Sequence, residues 1–266
     1  MTKRSATRTR LKPSGFAASA LQLFRIPGLP EIQEGTDLAA QIVVAVRKAD
    51  LRFGAGDILV VAQKIVSKAE GAVVRLATVK PSAEALRLAE QLKKDPRVVE
   101  LVLKESRRIL RRDRVLIVET YHGFVCANAG IDHSNVPGED AVTLLPRNPD
   151  RSAKKLAAAL RKQTGKRVAV IVSDTFGRPW RLGLTNVAIG AAGLPVLCDL
   201  RGARDRHGKP LTATILAVAD ELAAAAGLLM GKAEGIPAVL IRGYRYKPAS
   251  EKAASIIRPA AEDLFR

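Results

Sequence analysis

Val168-Ala169-Val170-Ile171-Val172-Ser173-Asp174-Thr175-Phe176-Gly177-Arg178-Pro179-Trp180-Arg181 opens as a short run of β-branched and apolar residues. Such a run reads as a buried strand. Its end delivers a carboxylate and two hydroxyls to the carboxyl edge of a sheet, where open α/β sheets bind their ligands. Gly177 and Pro179 are then expected to fix a turn directly beyond the strand. An isolated Ser-Asp-Thr would read as a helix cap with its arginines in solvent. Here two guanidiniums and the chain's single tryptophan fall within the same nine residues, which favours a site. Asp174 beside Arg178 and Arg181 suits a metal-bound phosphate, the carboxylate holding the cation and the guanidiniums the oxygens.

The same grammar recurs outward from this stretch. Ile58–Ala62, Val115–Val118, Val196–Leu200 and Ala238–Arg242 read as strands, and Phe124–Ala127 as a neighbour of the second. Helices are predicted over Leu38–Ala49 (capped by Thr36 or Asp37), from Ser82 to Lys94, and from Arg97 to Leu110 after the Asp95-Pro96 break. Two more are predicted from a cap at Asp150 to a stop at Gly165, and across Thr212–Met230. Beyond Ile58–Ala62 lie Gln63, Lys64, Ser67 and Lys68, read as a polar strand end whose lysine could meet a phosphate. Asn128–Gly138 is too rich in Gly, Asn and Pro for a regular element, and loops of this length are often functional. Its Asp132 is the second carboxylate expected on a cation, and Asp, Asn and Thr oxygens favour Mg²⁺ or Mn²⁺ over zinc. His122 and His133 read as hydrogen-bonded spectators, and the Gly- and Ala-rich Asn186–Gly193 as a place of tight helix packing.

With 266 residues, 47% hydrophobic and 26% charged, the chain can bury a sizeable core, although aromatics make up only 4% of it. Of its excess of 18 positive charges, six fall within the acid-free residues 1–30, leaving twelve in the remainder. Residues 1–24 are expected to form a basic, solvated tail and 25–266 a single domain, with room for two sub-domains. A charge of this size implies an anionic partner without naming it. Arg107–Arg114 reads as the solvated basic end of a helix. Two cysteines at no metal-ligand spacing, with no apolar run near the ~18 residues of a membrane span, point to a reduced, cytoplasmic protein. Neither GxxxxGK[ST] nor GxGxxG occurs, so P-loop and Rossmann dinucleotide sites are not expected.

Gly28-Leu29-Pro30-Glu31-Ile32, Val66–Gly71, His122–Gly138, Ser173–Arg181 and Met230-Gly231-Lys232, in this order, resemble the γ-glutamyl ligases that finish the deazaflavin coenzyme F-420. The likeness runs from about residue 26 to 243. It implies an α/β fold with mixed sheets and flanking helices, assembled as an intertwined homodimer. It implies an amide ligase that uses GTP to phosphorylate the carboxylate of the deazaflavin precursor. The amine of L-glutamate then displaces phosphate from the acyl phosphate, with GDP released. Two divalent cations, Mn²⁺ or Mg²⁺, would serve it, with K⁺ besides. By motif match, Asp132, Asp174 and Thr175 fall on metal positions, and Asp132, Asp174 and Arg178 are the expected catalytic residues. Leu29, Pro30, Glu31, Ile32, Gln63, Lys64, Lys68, Asn135, Gly231, Lys232, Glu234 and Gly235 fall on guanine-nucleotide positions. Two residues depart from the family pattern: Lys232, where an amide or acid able to reach the second metal is common, and Leu184, which replaces a commonly polar residue. A metal-dependent phosphohydrolase, using the same carboxylates, and a basic nucleic-acid-binding protein are the alternatives. The scarcity of aromatics for base stacking weighs against the latter.

Overall fold

A computed structural model describes residues 20–134 and 140–263. Its elements in chain order begin with β1 (Gln22–Arg25), α1 (Leu38–Lys48), β2 (Ile58–Ala62), α2 (Gln63–Ala69), β3 (Val73–Arg75), α3 (Ala83–Leu92) and α4 (Pro96–Lys104). There follow β4 (Ser106–Arg112), β5 (Leu116–Thr120), β6 (Val125–Ala127), β7 (Ala141–Thr143), α5 (Pro149–Thr164), β8 (Ala169–Arg178) and β9 (Arg181–Ala192). The last are β10 (Cys198–Asp199), β11 (Ile215–Leu216), α6 (Val218–Met230) and β12 (Ala238–Arg242). The fold is mixed α/β, as expected, and none of its sheets closes into a barrel.

The main sheet has the order β1-β12-β2-β8-β9, with β2 and β8 parallel and every other pair antiparallel. Both faces of its centre are covered, which is why β2, β8 and β12 read as continuous apolar runs. Leu59, Val61, Val170, Val172 and Leu240 point to the side closed by α1 and α5. Ile58, Val60, Ile171, Val239 and Ile241 point to the side closed by α6. A third core packs α3 and α4 on β5 and β7 through Leu88, Val99, Val102, Leu116, Val118 and Val142. The chain's last segment of expected tail is part of this framework: Gln22, Leu23 and Phe24 pair with Arg242, Ile241 and Leu240.

Local chemistry sets most boundaries. Asp37 caps α1 by accepting from the Ala40 N–H, and Ser82 caps α3 through Ala85. At α4, Asp95 accepts from Arg97 N while Pro96 fills the first helical position. Asn148, not Asp150, caps α5, because Pro149 takes the first helical position and moves the cap two residues back. Asp150 instead ties the helix start to its surroundings, accepting from the N–H groups of Ala191 and Ala253 at 2.9 and 2.7 Å. Gly165 ends the helix at φ 70°, as predicted. The tight packing expected at Asn186–Gly193 is present: a Cβ on Gly190 would lie 2.4 Å from the Pro149 carbonyl.

Four further predictions are corrected. The helix placed over Arg97–Leu110 ends at Lys104, and Ser106–Arg112 is an edge strand paired with β5. Two irregularities in that pairing break the alternation of side chains, leaving Arg-Arg-Ile-Leu-Arg-Arg without the period of a strand. The basic cluster is therefore a strand edge, with Arg108 paired to Glu119 at 2.8 Å. Gln63–Ala69, its polar residues read as a strand end, is α2; these residues are turned inward, and the Ser67 hydroxyl donates to Gln63 Oε1 one turn away at 2.7 Å. The helix predicted from Thr212 begins at Val218, after the short β11. Finally, β8 does not turn at Gly177. It runs on to Arg178 because β9 pairs with it along its whole length, and the reversal is at Pro179-Trp180, with Trp180 at φ 58°.

Candidate active site

The carboxyl ends of the parallel pair β2 and β8 lie side by side, with Ala62 opposite Ser173. Everything polar that follows either strand is thus delivered to one edge. There a cleft of about 270 Å³ is lined by Leu29, Pro30, Glu31 and Ile32 from the segment after β1, and by Gln63, Lys64, Ile65 and Lys68 of α2. Asp132 and Ser134, the β8 and β9 residues Ser173, Asp174, Thr175 and Asn186, and the loop from Met230 to Pro237 complete it.

Asp132 arrives from the irregular segment between β6 and β7. Backbone bonds with Thr143 in both directions pin that segment to β7. Its carboxylate accepts from the Lys64 ammonium at 2.8 Å and from Ser134 N at 2.7 Å. Lys64 also donates to the Ser134 carbonyl and hydroxyl, both at 2.7 Å. Burial alone would raise the Asp132 carboxyl, but Lys64 and Ser134 outweigh it and hold the group below the usual carboxylate range. Asp174 has the opposite fate. Burial pushes it up to about 6, the negative charge of Asp132 adds to the rise, and the Thr175 N–H with the Lys232 and Lys64 charges only partly offsets it. No ammonium or guanidinium among the described residues lies within ion-pair distance of Asp174. Next to it, the Thr175 hydroxyl lies 3.3 Å from Asn186 Oδ1 and accepts from Lys232 Nζ at 2.9 Å. On the opposite wall the buried Lys68 ammonium pairs with Glu31.

This donor set fits a hard divalent cation. A half-buried carboxylate with a like charge nearby and no ion pair is costly as it stands, and hard oxygen donors without His or Cys select Mg²⁺ or Mn²⁺ over softer metals. Asp132, Asp174 and Thr175 are the residues that could hold it. No cluster of three or more His, Cys, Asp or Glu occurs among the described residues, so a bound cation would draw further oxygens from its ligand or from water.

The structure brings Asp132, Asp174, Thr175, Leu29–Ile32, Gln63, Lys64, Lys68, Gly231, Lys232 and Gly235 together at one cleft. It does not bring Arg178 there: that guanidinium donates to the Leu182 carbonyl within the β8–β9 hairpin, at its exposed tip. Glu234 turns the other way and pairs with Arg25 at 2.5 Å. Asn135 lies outside the described residues. Sequence reasoning missed Ser134 as the partner of Lys64 and Asn186 as the partner of Thr175. Asn186 had a signal, a lone amide at the head of a small-residue run, but only the β8–β9 register sets it opposite Thr175. His122 donates from Nε2 to the Pro146 carbonyl, 3.0 Å away, and is stacked on Phe124 outside the cleft lining.

Fold and site define an α/β protein whose strand-end cleft presents three carboxylates and three ammonium groups. The particular family follows from comparison with known proteins. The sequence profile of the F420-0:Gamma-glutamyl ligase family matches residues 28–243, and the chain belongs to that family. It is 48% identical over 250 residues to the Coenzyme F420:L-glutamate ligase of Methanothermobacter thermautotrophicus, covering 92% of this chain and 99% of the relative. It is 47% identical to the protein of the same name from Methanopyrus kandleri, covering 92% and 98%. With that from Methanocaldococcus jannaschii it shares 46% identity, over 79% and 85%. None of the described helices is long and apolar enough to cross a membrane.

Proposed function

We propose that this chain is a γ-glutamyl ligase that joins L-glutamate to the deazaflavin coenzyme precursor at the expense of GTP, through an acyl phosphate. The observation that carries the reading is the convergence of Asp132 and Asp174–Thr175 with Lys64 and Lys232 in one cleft, in a chain of this family. A carboxylate is a poor electrophile, and phosphoryl transfer to it needs charge neutralisation and positioning rather than a protein nucleophile. A divalent cation held by Asp132 and Asp174 would supply neutralisation of phosphate charge when bound.

The chain's own residues do the rest. Lys64, held by Asp132 and Ser134, and Lys232, held by Thr175, present ammonium groups from two sides of the cleft to phosphate oxygens. The substrate carboxylate oxygen attacks the terminal phosphorus, the bond to GDP breaks, and an acyl phosphate forms. The neutral amine of L-glutamate then attacks the acyl carbon; phosphate leaves and the nitrogen gives up its proton. Leu29, Ile32, Ile65, Ile236, Pro237 and Met230 form the apolar part of the wall, which keeps water from the acyl phosphate. Release of GDP that requires both L-glutamate and the deazaflavin acid tests the reading. GDP release with neither acceptor present would instead mark a phosphohydrolase.

The same proposal includes a homodimer. Beyond Ser173, β8 pairs only with β9, so the hairpin reaches out from the sheet as a two-stranded arm. Trp180, Leu182 and Leu184 on this arm are 81%, 99% and 64% exposed, an apolar surface of the sort that a second copy covers.

A further inference from the structure

Lys232 stands on the loop that leaves α6 for β12. Gly231 and Gly235, at φ 59° and 64°, turn the chain at either end of this loop, and the Glu234–Arg25 pair ties it to β1. The side chain reaches across the cleft, and Nζ donates to Thr175 Oγ1 at 2.9 Å. The Thr175 hydroxyl has one hydrogen, for which Asn186 Oδ1 at 3.3 Å is the acceptor, and Lys232 takes one of its two lone pairs. Its positive charge also acts on the neighbouring Asp174, as does that of Lys64 from the Asp132 side. The two carboxylates Asp132 and Asp174 are therefore flanked by two ammonium groups, Lys64 on the Asp132 side and Lys232 on the Thr175 side, and their charges cancel.

A single divalent cation is commonly held by one or two carboxylates plus phosphate oxygens and water. Asp132 and Asp174 meet that need once. A second divalent cation on the Thr175 side would have to share the oxygen that Lys232 engages and would lie against its ammonium. No further acidic cluster among the described residues is at hand to balance it. We propose that Lys232 is a built-in cation. Its ammonium serves the phosphate chain on the Thr175 side, and the cleft takes one divalent ion, on Asp132 and Asp174, rather than two. This rests on the nucleotide-dependent ligase reading above and specifies the ion count of that same site.

The test is the number of Mn²⁺ ions bound per chain in the presence of saturating non-hydrolysable GTP analogue, counted from the loss of the free-Mn²⁺ electron paramagnetic resonance signal. Wild type, Lys232→Gln and Lys232→Arg are compared, each with its thermal melt as a check on folding. One Mn²⁺ in wild type and in Lys232→Arg, and two in Lys232→Gln, is the result expected, since glutamine removes the charge and offers a carbonyl oxygen. Two Mn²⁺ in wild type, or a count that stays at one in Lys232→Gln, overturns the role of Lys232 and leaves the ligase reading standing. No Mn²⁺ in any of the three, together with no GDP release in the coupled assay, overturns both.

Discussion

Replacing Asp174 by Asn should make the metal-free protein more stable while ending its activity. With burial and Asp132 raising its carboxyl from 3.8 to about 6, ionising Asp174 in the folded chain costs about 3 kcal/mol relative to the unfolded chain. The sign follows from proton counting. Between pH 3.8 and about 6 the folded state keeps a proton that the unfolded state has lost. Stability from this group is therefore intact below that window, falls as pH rises through it, and is fully lost above. Asn carries no charge and keeps an oxygen to accept the Thr175 N–H. In chelator-treated protein at pH 8 the variant should melt about 6–12 °C above wild type, at roughly 2–4 °C per kcal/mol for a chain of this size. At pH 4 the two should converge. Differential scanning calorimetry at both values measures it. Adding Mn²⁺ and a GTP analogue should reverse the order, because the ligands stabilise only the chain that binds them. A variant that melts below wild type at pH 8 without ligand, or a difference that does not change with pH, would refute the account of Asp174 as a charge awaiting a cation.

Other perturbations probe other parts of the structure. Lys64→Met removes the ammonium shared by Asp132 and Ser134, and kcat/KM for GTP should fall by about 10²-fold or more in steady-state assays. Gly190→Ala would force a Cβ to within 2.4 Å of the Pro149 carbonyl, so urea unfolding should show a loss of about 3 kcal/mol or more as α5 is pushed off β9. Leu182→Glu places a charge on the fully exposed tip of the β8–β9 arm, and sedimentation velocity should show a dimer for wild type and a monomer for the variant, with the circular dichroism spectrum unchanged.

How far the sequence could be read depended on whether the deciding contact was local. The strands Ile58–Ala62, Ala169–Val172 and Ala238–Arg242 announce themselves because burial on both faces makes them apolar throughout. The polar residues just past two of them could therefore be placed at one sheet edge, and Asp174, Thr175, Gln63, Lys64 and Lys68 do line the cleft there. Helix starts at Asp37 and Ser82 were legible for the same reason, since each cap bonds within its own first turn. What escaped depends on a distant partner. Ser106–Arg112 is a strand only because β5 lies beside it, and its irregular register erases the alternation. The β8–β9 arm exists through cross-strand pairing, so Gly177 and Arg178 continue a strand that single-strand hydropathy ends at Val172. The same pairing, not anything in the string itself, sets Asn186 beside Thr175 and holds Arg178 at the tip with Leu182.

The central claim is that the cleft activates a carboxylate by transferring a phosphoryl group to it. The measurement that meets it most directly uses the deazaflavin acid labelled with heavy oxygen in its terminal carboxylate, turned over with GTP, Mn²⁺ and L-glutamate. If an acyl phosphate forms, the oxygen bridging carbon and phosphorus leaves with the phosphate, and mass spectrometry of the released phosphate should find one heavy oxygen per turnover. Phosphate without label, alongside a glutamylated product, would contradict it.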